Sequence, residues 1–462
     1  MGKNILPFSL CVLTFWFPLA CQGQASIMAS SPCRMESITF DGWKAERVAN
    51  AWVILDIVPQ LGGRLMQVTF GGHSYLFVNP RYRGKYFPPS EGAPKGRWFN
   101  YGGDKIWPLP EGNEDEQHWP GAWSDVLDDG PYSLKASAQA SGCAVHLEGP
   151  LDPITGLQYS RDIRLGNDSP EVLFHAVMKN ITGHPIRWSM QSVSQYNTAD
   201  PGNPQTFNHD FWAFTPANPT SAYLDQFHVR AGPADDPAFA VRNGLFSLHW
   251  LYLGDEVWID STGGWVAVVD GLTKYAMVER FRYHEGAHYP GKATVIFYTN
   301  GPSLRLNARK MPELAPFNPQ DTPYYMEAEL NSPLVRLEPG ESYAMDTKWF
   351  PTRAEDDFVT VADAGVVDRP LAASAAGDKV LLAGSFGVFF PGQLAAYLYD
   401  QRGVNLCVIP LQRVSPLDLL NLHQEIQVPP SAVRVSLHLK DLRGVDRGSL
   451  GEARIVQEGK SR

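Results

Sequence analysis

From residue 36 onward the chain breaks into short apolar runs separated by Gly, Pro, Asn and Asp, and this punctuation limits the fold more than any other feature. Trp52-Val53-Ile54-Leu55-Asp56-Ile57-Val58 is rich in β-branched and aromatic residues and stops at Pro59, as a buried strand does. Leu61-Gly62-Gly63 supplies a turn, 64–70 a return strand and Gly71-Gly72 a second turn. Runs of the same kind follow at 133–138, 157–165, 172–179, 186–193, 265–269 and 293–298. No segment of ordinary helix length sustains apolar residues at i, i+3 and i+4, so the expected class is all-β. The absence of a fixed-period repeat favours a large sandwich over a propeller.

A chain of 462 residues exceeds what one small core needs, so two domains are expected. The boundary falls where Thr352-Arg353-Ala354-Glu355-Asp356-Asp357 leads to Ala372-Ala373-Ser374-Ala375-Ala376-Gly377. This divides the chain into a large β domain at 36–352, a linker at 353–376 and a small C-terminal β-sandwich at 377–462. In the last part Val433, Val435, Leu437 and Leu439 alternate with polar residues, the pattern of a strand with one dry face. Asp400-Gln401-Arg402-Gly403 has the composition of a hairpin turn. Two irregular stretches, at about 80–131 and 197–243, are crowded with Pro, Gly, Asn, Asp and Trp; loops that long are usually functional.

The N-terminus reads as a secretory signal. Lys3 is a positive n-region, 5–19 is almost unbroken apolar sequence, and Gly23-Gln24-Ala25 offers small residues for cleavage. Residues 1–25 are therefore expected to be removed, and the mature protein to be secreted or periplasmic. Leu19-Ala20-Cys21 would suit lipid anchoring at Cys21, but Pro18 stands where an aliphatic residue belongs. No later segment has the length of a transmembrane span. Past the signal, Cys33, Cys143 and Cys407 are too few and too scattered for a disulfide framework or metal-ligand spacing, although one bridge could form. A net charge of −10 without a basic stretch excludes a typical nucleic-acid binder.

Tyr325-Met326-Glu327-Ala328-Glu329-Leu330 carries the sharpest chemical signal. Period 2 puts Glu327 and Glu329 on one strand face, with Cα atoms roughly 7 Å apart. Carboxylates that close raise one another's pKa, which suits general-base chemistry near neutral pH. Downstream come Leu337-Glu338-Pro339-Gly340-Glu341 and Trp349-Phe350. Upstream are Gly62-Gly63-Arg64, Gly102-Gly103-Asp104-Lys105-Ile106-Trp107-Pro108 and Phe297-Tyr298-Thr299-Asn300-Gly301.

In this order the motifs resemble the galactose mutarotase (aldose 1-epimerase) superfamily over residues 36–352. The pattern is closest to a bacterial secreted branch classed as a domain of unknown function. The resemblance implies a β-supersandwich, a carbohydrate ligand, Glu327 at the general-base position and Glu329 where the family has Gln. It also marks a departure. The family's acid is a His, whereas the matching stretch here, Gln191-Ser192-Val193-Ser194-Gln195-Tyr196-Asn197, has none. Gln195 can hydrogen-bond a sugar hydroxyl but cannot act as a general acid. Three readings follow: a carbohydrate-binding protein with epimerase-like chemistry, a non-catalytic binder, or a polysaccharide lyase or glycosidase using Glu327 with Glu329.

Other residues join the expected pocket on their own chemistry. Gly102-Gly103 permits close backbone approach to a ligand, with Asp104 beside it, Lys105 offering charge and Trp107 a flat face for a sugar ring. Trp98, Trp119 and Trp123 share that loop region, and Glu114, Asp115 and Glu116 read as solvated acids. Arg280, Arg282 and His284 are placed near the pocket, Arg280 as a partner for the carboxylate of an acidic sugar. His284-Glu285-Gly286-Ala287-His288 matches His-Glu-x-x-His, but zinc binding needs a helix and a third ligand. Gly286 and Pro290 oppose a helix, and Thr294 stands at the third position. Neither a metal nor an organic cofactor is expected.

Overall fold

Pairing of these strands builds two large antiparallel sheets whose apolar faces meet. The computed structural model describes residues 32–89, 99–110, 126–233, 236–306, 312–318, 322–377 and 379–457. The first sheet has twelve strands. Its path runs from Arg34–Phe40 through Trp43–Ala49, Val53–Val58, Arg64–Phe70, Asp104–Leu109, Ile186–Asn197, Tyr325–Asn331, Val295–Thr299 and Asp255–Ile259 to His228–Ala231. The second sheet has ten strands, with Trp265–Asp270, Tyr275–Phe281, Ser342–Arg353 and Val172–Asn180 at its centre. Val53, Leu55, Met190, Phe297, Met326 and Leu330 of the first sheet pack on Phe174, Val266, Val268, Met277 and Trp349 of the second.

A third layer covers the back of the second sheet. Residues from Thr360 to Gln457 form an eight-stranded sheet. Its Phe386, Leu394 and Leu437 share one apolar cluster with Trp265, Ala267, Val269, Ala276, Val278 and Phe350 of the second sheet. This explains why Trp265-Val266-Ala267-Val268-Val269 reads as a continuous apolar run. Both of its faces are covered, and every residue of the strand Trp265–Asp270 is buried, as expected for a middle layer. The C-terminal unit is thus packed on the main body through a common core.

Two sequence expectations need correction. The stretch 353–376, read as a linker, contains the strands Thr360–Ala362 and Gly365–Ala376. Its alanines are strand residues paired with Lys379–Val388, and Ala373 is buried. The stretch 197–243 likewise contains Asn203–Phe207, Phe211–Pro216, His228–Ala231 and Phe239–Arg242. These strands are short and flanked by turn residues, so their periodicity is too brief to read. The hairpin at Asp400–Gly403 joins Gly392–Tyr399 to Asn405–Val414.

Cys33 and Cys143 are joined by a disulfide, their Cα atoms 5.7 Å apart. The bridge ties the start of the edge strand of the first sheet to Gly142–Leu151, the strand next to the edge of the second, and Cys407 is free and half-buried. Among the described residues no helix is long and apolar enough to cross a membrane. The proposed signal peptide, with Cys21, lies outside the described residues.

Candidate active site

Strand register gathers one polar cluster on the outward face of the twelve-stranded sheet. Met326, Ala328 and Leu330 point into the core, which turns Glu327 and Glu329 to the opposite face. On the neighbouring strand Gln195 stands opposite Glu327 and Gln191 opposite Asn331, with Val193 facing Glu329. One strand further, Lys105 stands opposite Val193 and Trp107 opposite Gln191. On the other flank Tyr298 faces Glu327 and Ile296 faces Glu329. Residues far apart in sequence therefore form three adjacent rows.

The two carboxyls are held by glutamine amides. The Gln195 side chain donates to Glu327 and the Gln191 side chain donates to Glu329. Glu327 and Glu329 stand two residues apart on the buried strand Tyr325–Asn331 and so share a face. Neighbouring buried carboxyls favour a state in which one carries a proton. Glu327 is 9% exposed and Glu329 7%. Burial raises the Glu327 carboxyl pKa, opposed by the Lys105 charge and by hydrogen bonds from Glu329 and Gln195.

Lys105 is itself committed. Its Nζ lies 2.8 Å from Asp128 and 3.5 Å from the centroid of the Trp107 ring. Burial lowers its pKa while the Asp128 carboxylate resists. Arg64, fully buried, donates to Asp128 at 2.6 Å and to the Gly102 carbonyl at 3.2 Å, and lies 3.5 Å from Asp129. Burial and the adjacent Asp128 hold the Asp129 carboxyl well above its usual range. The Trp107 ring, expected as a platform for a sugar, is instead buried and capped by an ammonium group.

Asp104 does not join this face. Successive strand residues point to opposite sides, so Asp104 enters the space between the sheets, where Arg161 clasps its two oxygens at 2.5 and 3.0 Å. Beside it the Tyr196 hydroxyl donates to Glu279. Burial pushes the Glu279 carboxyl up to about 8 and that of Asp104 to about 6. This buried group lies beneath Lys105 and Gln195, each one residue away along its strand.

Arg280 and His284 are also elsewhere. Glu279 points into the core, so Arg280 points to the back of the second sheet. There its guanidinium donates to the Ala362 carbonyl and lies over the rings of Phe350 and Phe389. It fastens the C-terminal layer. His284 begins a loop in which its backbone N–H donates to the Tyr289 hydroxyl. The stretch 284–288 is a turn with Gly286 at φ 72, not a helix. Among the described residues no group of three or more His, Cys, Asp and Glu could hold a metal ion. Trp98, Trp119, Trp123, Glu114, Asp115 and Glu116 lie outside the described residues.

Sequence reasoning passed over Gln191, Arg64 and Asp128 as site residues. Gln191 was within reach, because it stands four residues before Gln195 and so shares its face. Asp128 sits in the short helical turn Val126–Asp129, and nothing in its local sequence marks it.

No family model matches the chain, and no curated protein matches it. Solved structures do. A galactose mutarotase-like protein from Clostridium acetobutylicum is 11% identical, with a TM-score of 0.46, over 70% of this chain and 99% of that one. A galactose mutarotase-like protein from Lactobacillus casei is 10% identical, with a TM-score of 0.41, over 69% and 100%. A TPR-domain containing protein from Parabacteroides distasonis is 14% identical, with a TM-score of 0.44, over 67% and 47%. The chain resembles mutarotase-like proteins. It spans about half the length of the TPR-domain protein. The likeness is one of shape, and the chemistry of the site comes from this chain's own residues.

Proposed function

We propose that the face around Glu327 and Glu329 binds a carbohydrate and exchanges protons with it. The observation that carries this reading is the buried carboxyl pair on one strand face, each carboxyl held by a glutamine amide, Gln195 on Glu327 and Gln191 on Glu329. A pair sharing one proton offers an acid and a base side by side. Anomer interconversion needs both. Glu327 takes the proton of the anomeric hydroxyl while protonated Glu329 gives its proton to the ring oxygen. The C1–O5 bond opens to a carbonyl, and reclosure on the other face returns both protons. Glu329 thereby fills the acid role for which the sequence has no His.

A neutral sugar suits the site better than an acidic one, since Arg64 and Lys105 are engaged by Asp128 and Arg280 lies behind the second sheet. The Cys33–Cys143 bridge supports an oxidising, secreted or periplasmic location.

The test is exchange spectroscopy between α and β anomers of free aldoses in the presence of the protein. Enhanced exchange is expected, falling about 10²–10⁴-fold in Glu327→Gln. Sugar binding without enhanced exchange would leave a non-catalytic binder; enhancement that survives the substitution would remove Glu327 from the chemistry.

A further inference from the structure

Exposure across the site face rises toward one sheet edge, although Ile296, between Glu329 and Trp258, is itself buried. Arg64 is 0% exposed, Lys105 4%, Glu329 7% and Glu327 9%. Beyond the glutamates Tyr298, Glu256 and Trp258 are half-buried, and His228 and Arg230 at the sheet edge are exposed. All point away from the core, because Val257, Ile259, Val295 and Phe297 between them point inward. Among the described residues, the face thus opens from the carboxyl pair toward the strands Val295–Thr299 and Asp255–Ile259.

Register makes this slope a continuous strip. Tyr298 stands opposite both Glu327 and Glu256, and Ile296 opposite both Glu329 and Trp258. Neighbouring strands lie about 4.8 Å apart, so the Trp258 strand is roughly 10 Å from the glutamates, the span of a disaccharide. The indole is fixed in place. Its Nε1 donates to Glu256 at 2.5 Å. Gly291, at φ 58, brings backbone against the ring, where any side chain would strike it at 1.9 Å. The Tyr223 hydroxyl donates to the Gly291 carbonyl and secures that turn. Arg230 adds a guanidinium 5.8 Å from the ring centroid.

We propose that the Tyr298–Trp258 strip is a second saccharide subsite, so that the ligand is an oligosaccharide whose end unit reaches Glu327 and Glu329. This rests on the carbohydrate reading of that pair. A pyranose ring has an apolar C–H face rimmed by hydroxyls. The strip matches that chemistry with a fixed indole bordered by Glu256 and Arg230, beside the ring and hydroxyl of Tyr298. An apolar peptide would require a continuous apolar groove, which Glu256 and Arg230 interrupt. Rings held before binding lose little freedom on contact, which favours affinity.

The test is calorimetric titration of the full protein with glucose, galactose and their α- and β-linked homo-oligosaccharides from dimer to pentamer. Affinity for at least one series is expected to rise roughly tenfold or more from one unit to three, about 1.4 kcal/mol per factor of ten. In Trp258→Ala the ratio of three-unit to one-unit affinity falls toward one. Glu256→Gln, which loosens the indole without removing it, lowers that ratio less. Glu327→Gln weakens all lengths alike. Binding of single units with no gain on lengthening would overturn the subsite and leave the carbohydrate reading standing, as would a gain that survives Trp258→Ala in folded protein. Absence of binding at every length would overturn both.

Discussion

At the scale of single residues, the state of Glu327 is a contest between burial and Lys105. Burial favours the neutral carboxyl, and the ammonium group favours the charged one. Because Lys105 is gripped by Asp128 and lies on Trp107, its charge acts at a fixed place and not through a flexible stem. Lys105→Met removes the cation and lets the Glu327 pKa climb further. If Glu327 is the base, the rising limb of the pH–rate profile then moves to higher pH, by about one unit. Carboxyl carbon-13 titration reads the same shift without turnover. A limb that stays in place would show that the two side chains do not communicate.

At the scale of elements, single strands serve two purposes by alternation. Ile186–Asn197 sends Gln191 and Gln195 to the site, while Tyr196, next to Gln195, locks onto Glu279 between the sheets. Asp104–Leu109 does the same with Lys105 outward and Asp104 clasped by Arg161. The entry to that strand depends on Gly102, at φ 93, where a Cβ would lie 2.1 Å from the Phe77 carbonyl oxygen. Gly102→Ala is therefore expected to cost more than about 1 kcal/mol and to disturb the placement of Lys105. Denaturant titration measures the first effect; a neutral or stabilising outcome would contradict the close approach.

At the scale of the whole molecule, buried carboxyls between the layers couple stability to pH. The Glu279 pKa is raised from 4.5 to about 8, chiefly by burial. A folded-state pKa above the unfolded one gives stability that is complete below the unfolded value and lost as pH rises through the folded value. Asp104, at about 6, acts in the same direction at lower pH. The thermal midpoint should therefore fall between pH 5.5 and 8.5, by roughly a few °C, and Glu279→Gln should flatten the decline. A midpoint that rises across this window would contradict the burial of Glu279 as an acid. The effect belongs to the packed sandwich, because only closure of the two sheets withdraws Glu279 from water.

The all-β class and the shared face of Glu327 and Glu329 were legible in the sequence, because a period of two is a property of the local backbone. The turn at Gly62-Gly63 and the hairpin at Asp400–Gly403 were legible for the same reason, since their conformations belong to a few consecutive residues. Period two states which residues share a face, but not which face meets the core or what stands across from it. Asp104 was assigned to the pocket by its place beside Gly102-Gly103 and Arg280 by its charge, and alternation carried one between the sheets and the other to the back of the second. Gln195 reaches Glu327 across 132 positions of chain, and Asp128 reaches Lys105 across 23. Such partners are chosen by register and layer packing, which depend on the whole chain closing at once. The carboxyl pair was therefore written locally, while the amides that hold it, its cation and the strip leading out of it were decided only by the tertiary structure.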